Sequence, residues 1–317
     1  MNPYLLLLIA LLFGAVEGFT EFLPISSTGH MILLEGVFSS CGSPLSEVFP
    51  HGQEFWSLFL VVVQLGAILS VIVLFWGRLW PWGKKKLTPE EDGLIQRGEK
   101  TEEEIQKGKK KQIWQTWLKV LIGVLPAAAV GLILDLTGWE DAMQNWAVVS
   151  CTLIVYGIAF LVIETLKEKR NWSERIPSIL ALGLKDAFFI GCFQVLALIP
   201  GTSRSGVTIL GALLLGCSRT AAAEFSFYLS IPVMVGASLL KIAKFFLRCG
   251  VPTPEEIVFL FTGMIAAMAV AFLCVRWLMG FLRKKDFRPF GIYRIALGAL
   301  VIAFFLTFRL LSGQAVL

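Results

Sequence analysis

Long apolar runs recur along the chain and are separated by shorter polar connections. Several runs approach or exceed 18 residues, the length at which an apolar helix can cross the hydrocarbon core of a bilayer. The pattern predicts six crossings, at about 56–80, 113–134, 146–166, 221–247, 256–279 and 290–311. We therefore expect an all-α polytopic membrane protein that forms a single integral membrane domain over residues 1–317.

Two further apolar segments, 3–34 and 178–217, are interrupted near their middles by proline, glycine and hydroxyl residues. Such a cluster is typical of two half-helices joined by a turn. Non-helical backbone at membrane depth persists only where protein or a water-filled cavity satisfies its polar groups. The sequence therefore predicts two re-entrant broken-helix segments in addition to the six crossings.

The two broken segments resemble each other when Glu17 is aligned with Gln194. The aligned pairs of small or hydroxyl residues are Ser26 with Ser203, Thr28 with Ser205 and Gly29 with Gly206. Each segment is followed by three crossings, whose expected directions are opposite in the two halves. This arrangement predicts an inverted repeat, with halves at about 1–166 and about 176–317, whose discontinuous helices meet near the midplane.

Basic residues are distributed unevenly among the connections. Positions 78–111 hold ten Lys and Arg, whereas 35–55 and 135–146 hold none. By the positive-inside rule, the basic connections face the cytoplasm. In a chain that is 56% hydrophobic, this pattern is poor evidence for nucleic-acid binding. The charged insert 84–112 mixes nine basic and seven acidic residues, so we interpret it as a solvated cytoplasmic loop with a short helix and assign it no chemistry.

The stretch "EGFTEFLPISSTGH" at 17–30 places charged and hydroxyl side chains within the first broken segment. Glu17 and Glu21 are four residues apart and share one face of a helix. Pro24 is expected to end that half-helix. The hydroxyl residues Ser26, Ser27 and Thr28 are good N-caps for the next one, whose free N–H groups form an anion site. Ionisable groups at membrane depth are candidates for function, although His30 could simply satisfy a local hydrogen bond.

The second broken segment reads "PGTSRSG" at 200–206 and carries a cation where the first carries a hydroxyl. Arg204 aligns with Ser27. Arginine is suited to bidentate recognition of phosphate, although a structural ion pair with Glu17 or Glu21 is the alternative. One half would thus supply carboxylates and a nucleophile, and the other a cation and dipoles, as phosphoryl chemistry requires.

Together these two motifs resemble the undecaprenyl-diphosphate phosphatase family of bacterial inner membranes, the bacitracin-resistance proteins. The resemblance covers most of the chain apart from the 84–112 insert. It implies hydrolysis of undecaprenyl diphosphate to the monophosphate, which recycles the lipid carrier for peptidoglycan and other cell-wall polymers. The positions that match the family motifs are Glu17, Glu21, Ser26, Ser27, Thr28, His30, Ser203, Arg204 and Ser205.

The resemblance and the residue chemistry together predict roles for these side chains. Ser27 is the candidate nucleophile, with Glu21 or His30 as general base, and Arg204 holds the diphosphate. Glu17 either orients these groups or, with Glu21, binds a divalent cation, Mg²⁺ or Ca²⁺. A water activated by the glutamates, or His30 itself, could replace Ser27 as nucleophile. The expected substrate-binding residues are Ser26, Thr28, Gly29, Thr202, Ser203, Ser205 and Gly206.

A secondary transporter or lipid-carrier flippase is the competing class, because inverted repeats with broken helices are also transporter architecture. The expected partners are the undecaprenyl diphosphate lipid and the bilayer, with no nucleic acid. A homodimer is one alternative for the oligomeric state. The expected location is the bacterial inner membrane, with the active site facing the periplasmic or extracellular side.

Overall fold

The computed structural model describes residues 3–40, 45–137, 145–170 and 172–312. In this part of the chain the backbone is helical, with one isolated β-bridge between Ile176 and Cys217 and no strand. The α-helices, in chain order, are α1 Pro3–Thr20, α2 Ser27–Ser40, α3 Gly52–Leu74, α4 Trp76–Leu79, α5 Pro89–Gln96, α6 Glu102–Thr137, α7 Trp146–Lys169, α8 Leu184–Val195, α9 Arg204–Leu214, α10 Arg219–Cys249, α11 Pro254–Leu282 and α12 Arg288–Ser312. The fold is therefore all-α, as the sequence predicted.

Within the described residues, seven helices are long and apolar enough to cross a bilayer. Six of them, α3, α6, α7, α10, α11 and α12, coincide with the six predicted crossings. The seventh is α1, which the sequence predicted only as a half-helix and which has 18 residues. It ends at Thr20, one turn before Pro24, which was expected to end it. The predicted connection at 135–146 lies largely outside the described residues.

Both predicted breaks are present, and they have the same backbone form. Residues 21–25 form a turn between α1 and α2, and residues 199–203 separate a short 3₁₀ turn after α8 from α9. The aligned residues Ser26 and Ser203 have φ values of 71° and 69°, and they are the only described non-glycine residues with positive φ. A β-carbon makes this conformation costly, so strain is stored at the same point of each turn.

Glycines bring the broken segments close to other helices. A β-carbon on Gly14 would lie 2.3 Å from the carbonyl oxygen of Gly263, so α1 and α11 touch through their backbones. The aligned Gly191 makes the same kind of contact between α8 and α6, because its β-carbon would lie 2.2 Å from the carbonyl oxygen of Gly123. Gly18 contacts α11 in the same way, so two glycines four residues apart on α1 allow this close approach.

The apolar core surrounds the two turns. Phe22, Leu23 and Ile25 from the first turn share one buried cluster with Ile209 and Leu213 of α9. Many large apolar side chains on the outer faces of the long helices are exposed, as expected for surfaces that face lipid. The first turn is therefore packed against α9 inside the molecule.

The charged insert is more ordered than a solvated loop. It contains the short helix α5, which begins with a capping box formed by Thr88 and Glu91. Residues 102–112 are not a loop, because they form the first turns of α6 and continue directly into the predicted crossing. The interpretation of this part as loop was wrong, since three acidic residues in the first turn, Glu102, Glu103 and Glu104, favour a helix N-terminus.

Candidate active site

The carboxylate of Glu21 joins the two broken segments. Its Oε2 atom accepts a hydrogen bond of 2.7 Å from the Ser27 hydroxyl, and its Oε1 atom lies 2.9 Å from Nη2 of Arg204. Ser27 is the first residue of α2, and Arg204 is the first residue of α9. One buried carboxylate therefore holds a hydroxyl from one half of the chain and a guanidinium from the other.

The Ser205 hydroxyl connects the second segment to the backbone of the first. Its oxygen lies 3.2 Å from the carbonyl oxygens of Glu21 and Leu23, and also 3.2 Å from the hydroxyl of Ser203. The two carbonyl contacts share the single hydrogen of Ser205, whereas either hydroxyl can donate in the contact with Ser203. Ser205 therefore positions the turn that precedes Ser27.

Each short helix begins with a serine cap. The Ser26 hydroxyl accepts a hydrogen bond from the N–H of Gly29 at 3.4 Å, and the Ser203 hydroxyl accepts one from Gly206 at 3.2 Å. Gly29 packs against the aliphatic side chain of Leu153, where a β-carbon would come within 3.1 Å. The positive ends of both short helices therefore converge on the Glu21 region, which favours a bound anion.

Three buried polar atoms near this point have no hydrogen-bond partner among the described residues. They are Oε1 of Glu17, Oγ1 of Thr202 and Nη1 of Arg204. Glu17 is only 2% exposed and lies close to the side chains of Glu21 and Gln64. Because buried polar groups normally have partners, these atoms are candidates for contact with a ligand.

His30 and Thr28 stand apart from this cluster. The Nδ1 atom of His30 lies 2.7 Å from the carbonyl oxygen of Ser26, so Nδ1 donates, and Nε2 lies 2.7 Å from the Tyr293 hydroxyl, from which neutral imidazole accepts. The His30 and Tyr293 rings are also stacked. The Thr28 side chain is exposed. The geometry thus pairs Ser27 with Glu21 and leaves both nitrogens of His30 engaged elsewhere.

The family described as Bacitracin resistance protein BacA matches this chain over residues 10–300. The match includes both turns and the Glu21 cluster, which consists of Glu17, Glu21, Ser27, Arg204 and Ser205. The chain belongs to the BacA family.

Curated relatives of this BacA-family chain carry a consistent name. It is 45% identical over 295 residues to Undecaprenyl-diphosphatase 1 of Oenococcus oeni, covering 93% of this chain and 95% of that protein. It is 46% identical to the Undecaprenyl-diphosphatase of Limosilactobacillus fermentum, covering 93% and 96%. It is also 46% identical to the Undecaprenyl-diphosphatase of Acetivibrio thermocellus, covering 95% and 98%. Likeness at this level extends over nearly the whole of each protein.

The two carboxylates of the BacA-family site fit a divalent cation that would also bind a phosphate of the substrate. Glu17 and Glu21 provide adjacent carboxylates, and Oε1 of Glu17 has no described partner. No described cluster of three or more His, Cys, Asp or Glu residues could hold a metal ion alone. Mg²⁺ commonly binds through one or two carboxylates together with substrate phosphate oxygens. These residues therefore fit such an ion without forming a complete protein cage.

Arg294, in α12, is a residue of the site that the sequence analysis missed. It is fully buried, and its guanidinium donates to the carbonyl oxygens of Pro24 at 3.3 Å, Gly201 at 3.0 Å and Thr202 at 2.9 Å. Arg294 therefore ties the first turn to the second through their backbones. Its charge inside a predicted crossing was the available signal, because such residues usually face the interior of the protein and have a role.

Replacing Arg294 with leucine is expected to destabilise the folded protein by roughly 3 kcal/mol, since three buried carbonyl oxygens would each lose a donor. Thermal unfolding in detergent measures this effect. The matched control is Arg276→Leu, which removes the same charge from an exposed position on α11 and is expected to change stability by less than about 0.5 kcal/mol. Equal stability of the two variants would contradict the role assigned to Arg294.

Proposed function

We propose that this BacA-family protein hydrolyses undecaprenyl diphosphate to undecaprenyl phosphate and inorganic phosphate. The observation that carries the proposal is the Glu21 carboxylate held between the Ser27 hydroxyl and the Arg204 guanidinium. The names of the relatives support the same substrate. The reaction would return the lipid carrier to peptidoglycan and other cell-wall polymer synthesis and would confer resistance to bacitracin.

In this mechanism the Ser27 oxygen attacks the terminal phosphorus of the diphosphate. Glu21 accepts the Ser27 proton, since the two side chains already share a hydrogen bond. The bond from the terminal phosphorus to the bridging oxygen breaks, and undecaprenyl phosphate leaves. Glu21 passes its proton to the bridging oxygen of the departing undecaprenyl phosphate and is a carboxylate again. Water then attacks the phosphoserine and gives a proton to Glu21. Glu21 returns that proton to the Ser27 oxygen as its bond to phosphorus breaks, so inorganic phosphate departs and the Ser27 hydroxyl is restored.

Binding of the diphosphate is assigned to Arg204 and to the N-terminal N–H groups of α2 and α9. Nη1 of Arg204 has no described partner, so it can donate to a phosphate oxygen while Nη2 remains on Glu21. Thr202 lies in the turn two residues before Arg204 and offers a second unpartnered donor. A divalent cation on Glu17 and Glu21 would supply further charge to neutralise the phosphate oxygens.

Two alternative nucleophiles belong to the same proposal. A water activated by Glu17 and Glu21 uses the same carboxylates without a covalent intermediate. His30 as nucleophile is less well supported, because both of its nitrogens are hydrogen-bonded to groups outside the Glu21 cluster. Ser27 is preferred because it has a carboxylate base at 2.7 Å.

The proposed location is the bacterial inner membrane, with the site open to the periplasmic or extracellular side and the 84–112 insert in the cytoplasm. In a cysteine-free variant, Glu47→Cys is expected to react with an impermeant maleimide on intact cells. Glu103→Cys is expected to react only after permeabilisation, because Glu103 lies in the basic region 78–111, which is predicted to face the cytoplasm. Labelling of Glu103→Cys but not of Glu47→Cys on intact cells would contradict this topology.

Phosphate release from undecaprenyl diphosphate by the purified protein in detergent tests the proposed function. Detergent micelles have no compartments, so a transporter would release no phosphate there, whereas a phosphatase would. Parallel reactions with and without EDTA show whether a divalent cation contributes. Absence of release from folded protein, with Mg²⁺ or Ca²⁺ supplied, would exclude the phosphatase.

A further inference from the structure

A cavity lies outside the candidate active site, at the end of the helices that carries the charged insert. Its volume is about 850 Å³. The walls come from the chain after α3 at 76–86, the first half of α6 at 109–116, the segment 178–180 and the first turns of α10. No residue that lines it belongs to the Glu21 cluster, so it requires an explanation of its own.

The wall formed by Lys85 and Lys86 is fixed by hydrogen bonds to α6. The Lys85 N–H donates to Oε1 of Gln106 at 2.8 Å, and the Gln106 amide donates to the Lys85 carbonyl oxygen at 2.8 Å. Lys109 donates to the Lys86 carbonyl oxygen at 2.7 Å and forms a 2.6 Å ion pair with Glu91. The insert therefore builds one side of the cavity in a defined position.

The lining is strongly basic. Among the described residues that line it there are five cations and one carboxylate, namely Arg78, Lys84, Lys85, Lys86, Lys109 and Glu224. The Glu224 carboxylate already accepts hydrogen bonds from Arg78 at 2.8 Å and from the Tyr228 hydroxyl at 2.7 Å. The one lining carboxylate is thus neutralised by a neighbour and leaves the other cations unbalanced.

Lys85 and Lys86 carry the unbalanced charge. Lys84 lies 3.5 Å from Glu102, and Lys109 is paired with Glu91, but no described carboxylate pairs with Lys85 or Lys86. The Lys85 ammonium donates to the main-chain carbonyl oxygens of Trp80 and Trp82. Burial and the nearby charge of Lys110 lower the pKa of Lys85, which is the direction expected for a cation without a counter-ion.

The surroundings of the cavity are those of a membrane–water interface. Trp76 and Trp82 line it, and together with Trp80 they form a run of contacting indoles with ring centroids 5.0 and 4.5 Å apart. All three side chains are exposed. Tryptophan is enriched where lipid headgroups meet the hydrocarbon, so the cavity opens at headgroup level.

An exposed apolar stripe on α6 leads away from the cavity toward the middle of the helix. It consists of Leu118, Leu121 and Leu125, which lie on one helix face and are about half exposed or more. Acyl chains of a lipid could lie along this stripe while the headgroup occupies the cavity. A soluble anion would make no use of the tryptophans or the stripe.

We propose that this cavity binds the phosphate-bearing headgroup of an anionic membrane lipid, in the leaflet on the side of the insert. Lys85 and Lys86 bind the phosphate, and the tryptophans flank the glycerol region. Basic pockets between transmembrane helices are suited to such headgroups. The site is separate from the one that hydrolyses diphosphate, and it gives the charged insert a binding role.

Quenching of tryptophan fluorescence tests the proposal on the full-length protein in neutral detergent micelles. Brominated phosphatidylglycerol and brominated phosphatidylcholine are titrated separately, and the ratio of their association constants gives the preference for an anionic headgroup. The purified protein is expected to prefer phosphatidylglycerol. Lys85→Gln/Lys86→Gln is expected to reduce that preference by about fivefold for each lysine removed at low salt.

The matched control is Lys100→Gln/Lys107→Gln, which makes the same change in net charge at exposed insert positions outside the cavity. It is expected to change the preference by less than about twofold, as screened surface charges do. Equal preferences of the two double variants would overturn the site. Phosphate release from undecaprenyl diphosphate is expected to be unchanged in both, so a failure here is distinct from a failure of the phosphatase assignment.

Two further arms complete the test. If the double variant fails to fold, Lys86→Gln alone is used, because its side chain is exposed and makes no described hydrogen bond. Inorganic phosphate is added at constant ionic strength as a competitor. Weak competition supports a lipid ligand, whereas displacement of phosphatidylglycerol at equal concentration would show a site for soluble phosphate and overturn the proposal.

Discussion

Ser27→Ala is expected to reduce phosphate release by at least about 10³-fold while substrate binding is retained. The Ser27 hydroxyl is the attacking group in the proposed reaction, and its hydrogen bond of 2.7 Å to Glu21 provides the base. Arg204 and the helix N-termini, which are proposed to bind the diphosphate, are unchanged in this variant. Single-turnover phosphate release measures the chemical step, and binding of labelled undecaprenyl diphosphate measures affinity separately.

Thr28→Ala is the matched control for Ser27→Ala. It removes the neighbouring hydroxyl of the same helix turn, but that side chain is exposed and makes no described hydrogen bond to Glu21. We expect it to lose far less activity than Ser27→Ala. Near-normal turnover of Ser27→Ala would remove Ser27 as nucleophile and favour water activated by Glu17 and Glu21.

Arg204→Lys is expected to lower kcat by on the order of a hundredfold. One arm of the Arg204 guanidinium is held by Glu21, and Nη1 on the other side has no described partner. A guanidinium can therefore bind the carboxylate and a phosphate oxygen together, and an ammonium cannot reproduce that planar fork. Part of this contact should strengthen as charge shifts during bond breaking, so the loss appears in kcat.

Arg219→Lys is a control with a similar ion pair outside the site. Arg219 begins α10 and binds the buried carboxylate of Glu164 through two nitrogen atoms. Its replacement should lower stability without a comparable loss of kcat. If Arg204 serves only as a structural partner of Glu21, Arg204→Lys should keep most activity, which would contradict its assignment to the phosphate.

The local features of the site could be read from the sequence. Glycine and proline mark the breaks, the spacing of Glu17 and Glu21 places both on one helix face, and the alignment with Gln194 pairs the two turns. These features depend on neighbours within one or two helical turns, where sequence pattern and backbone geometry are directly linked. The matching φ values of Ser26 and Ser203 agree with that alignment.

Contacts between distant segments could not be read in the same way. Nothing local to Arg294 indicates that it binds the carbonyl oxygens of Pro24 and Gly201, because the contact depends on how α12 packs against both turns. The same holds for Tyr293, which occupies the Nε2 atom of His30. Sequence reasoning identified His30 as a candidate base, and only the packing shows that its nitrogens have other partners.

The tertiary contacts of the charged insert could not be predicted from the sequence either. Its composition resembles that of a solvated loop, and mixed charge carries little information about tertiary contacts. The structure nevertheless fixes Lys85 against Gln106 and continues residues 102–112 into α6. The basic cavity arises from this packing and from walls at 178–180 and on α10, which lie in separate parts of the sequence.

In the proposed mechanism the two turns form one catalytic unit, and a double-mutant cycle on the chemical step tests this claim most directly. Single-turnover phosphate release would be measured for Glu21→Asp, Arg204→Lys and the double variant, with the enzyme in saturating excess over the substrate. Because both residues act on the same phosphate, the double variant should lose little more than the worse single variant. Losses that multiply, in variants with unchanged thermal stability, would contradict the claim.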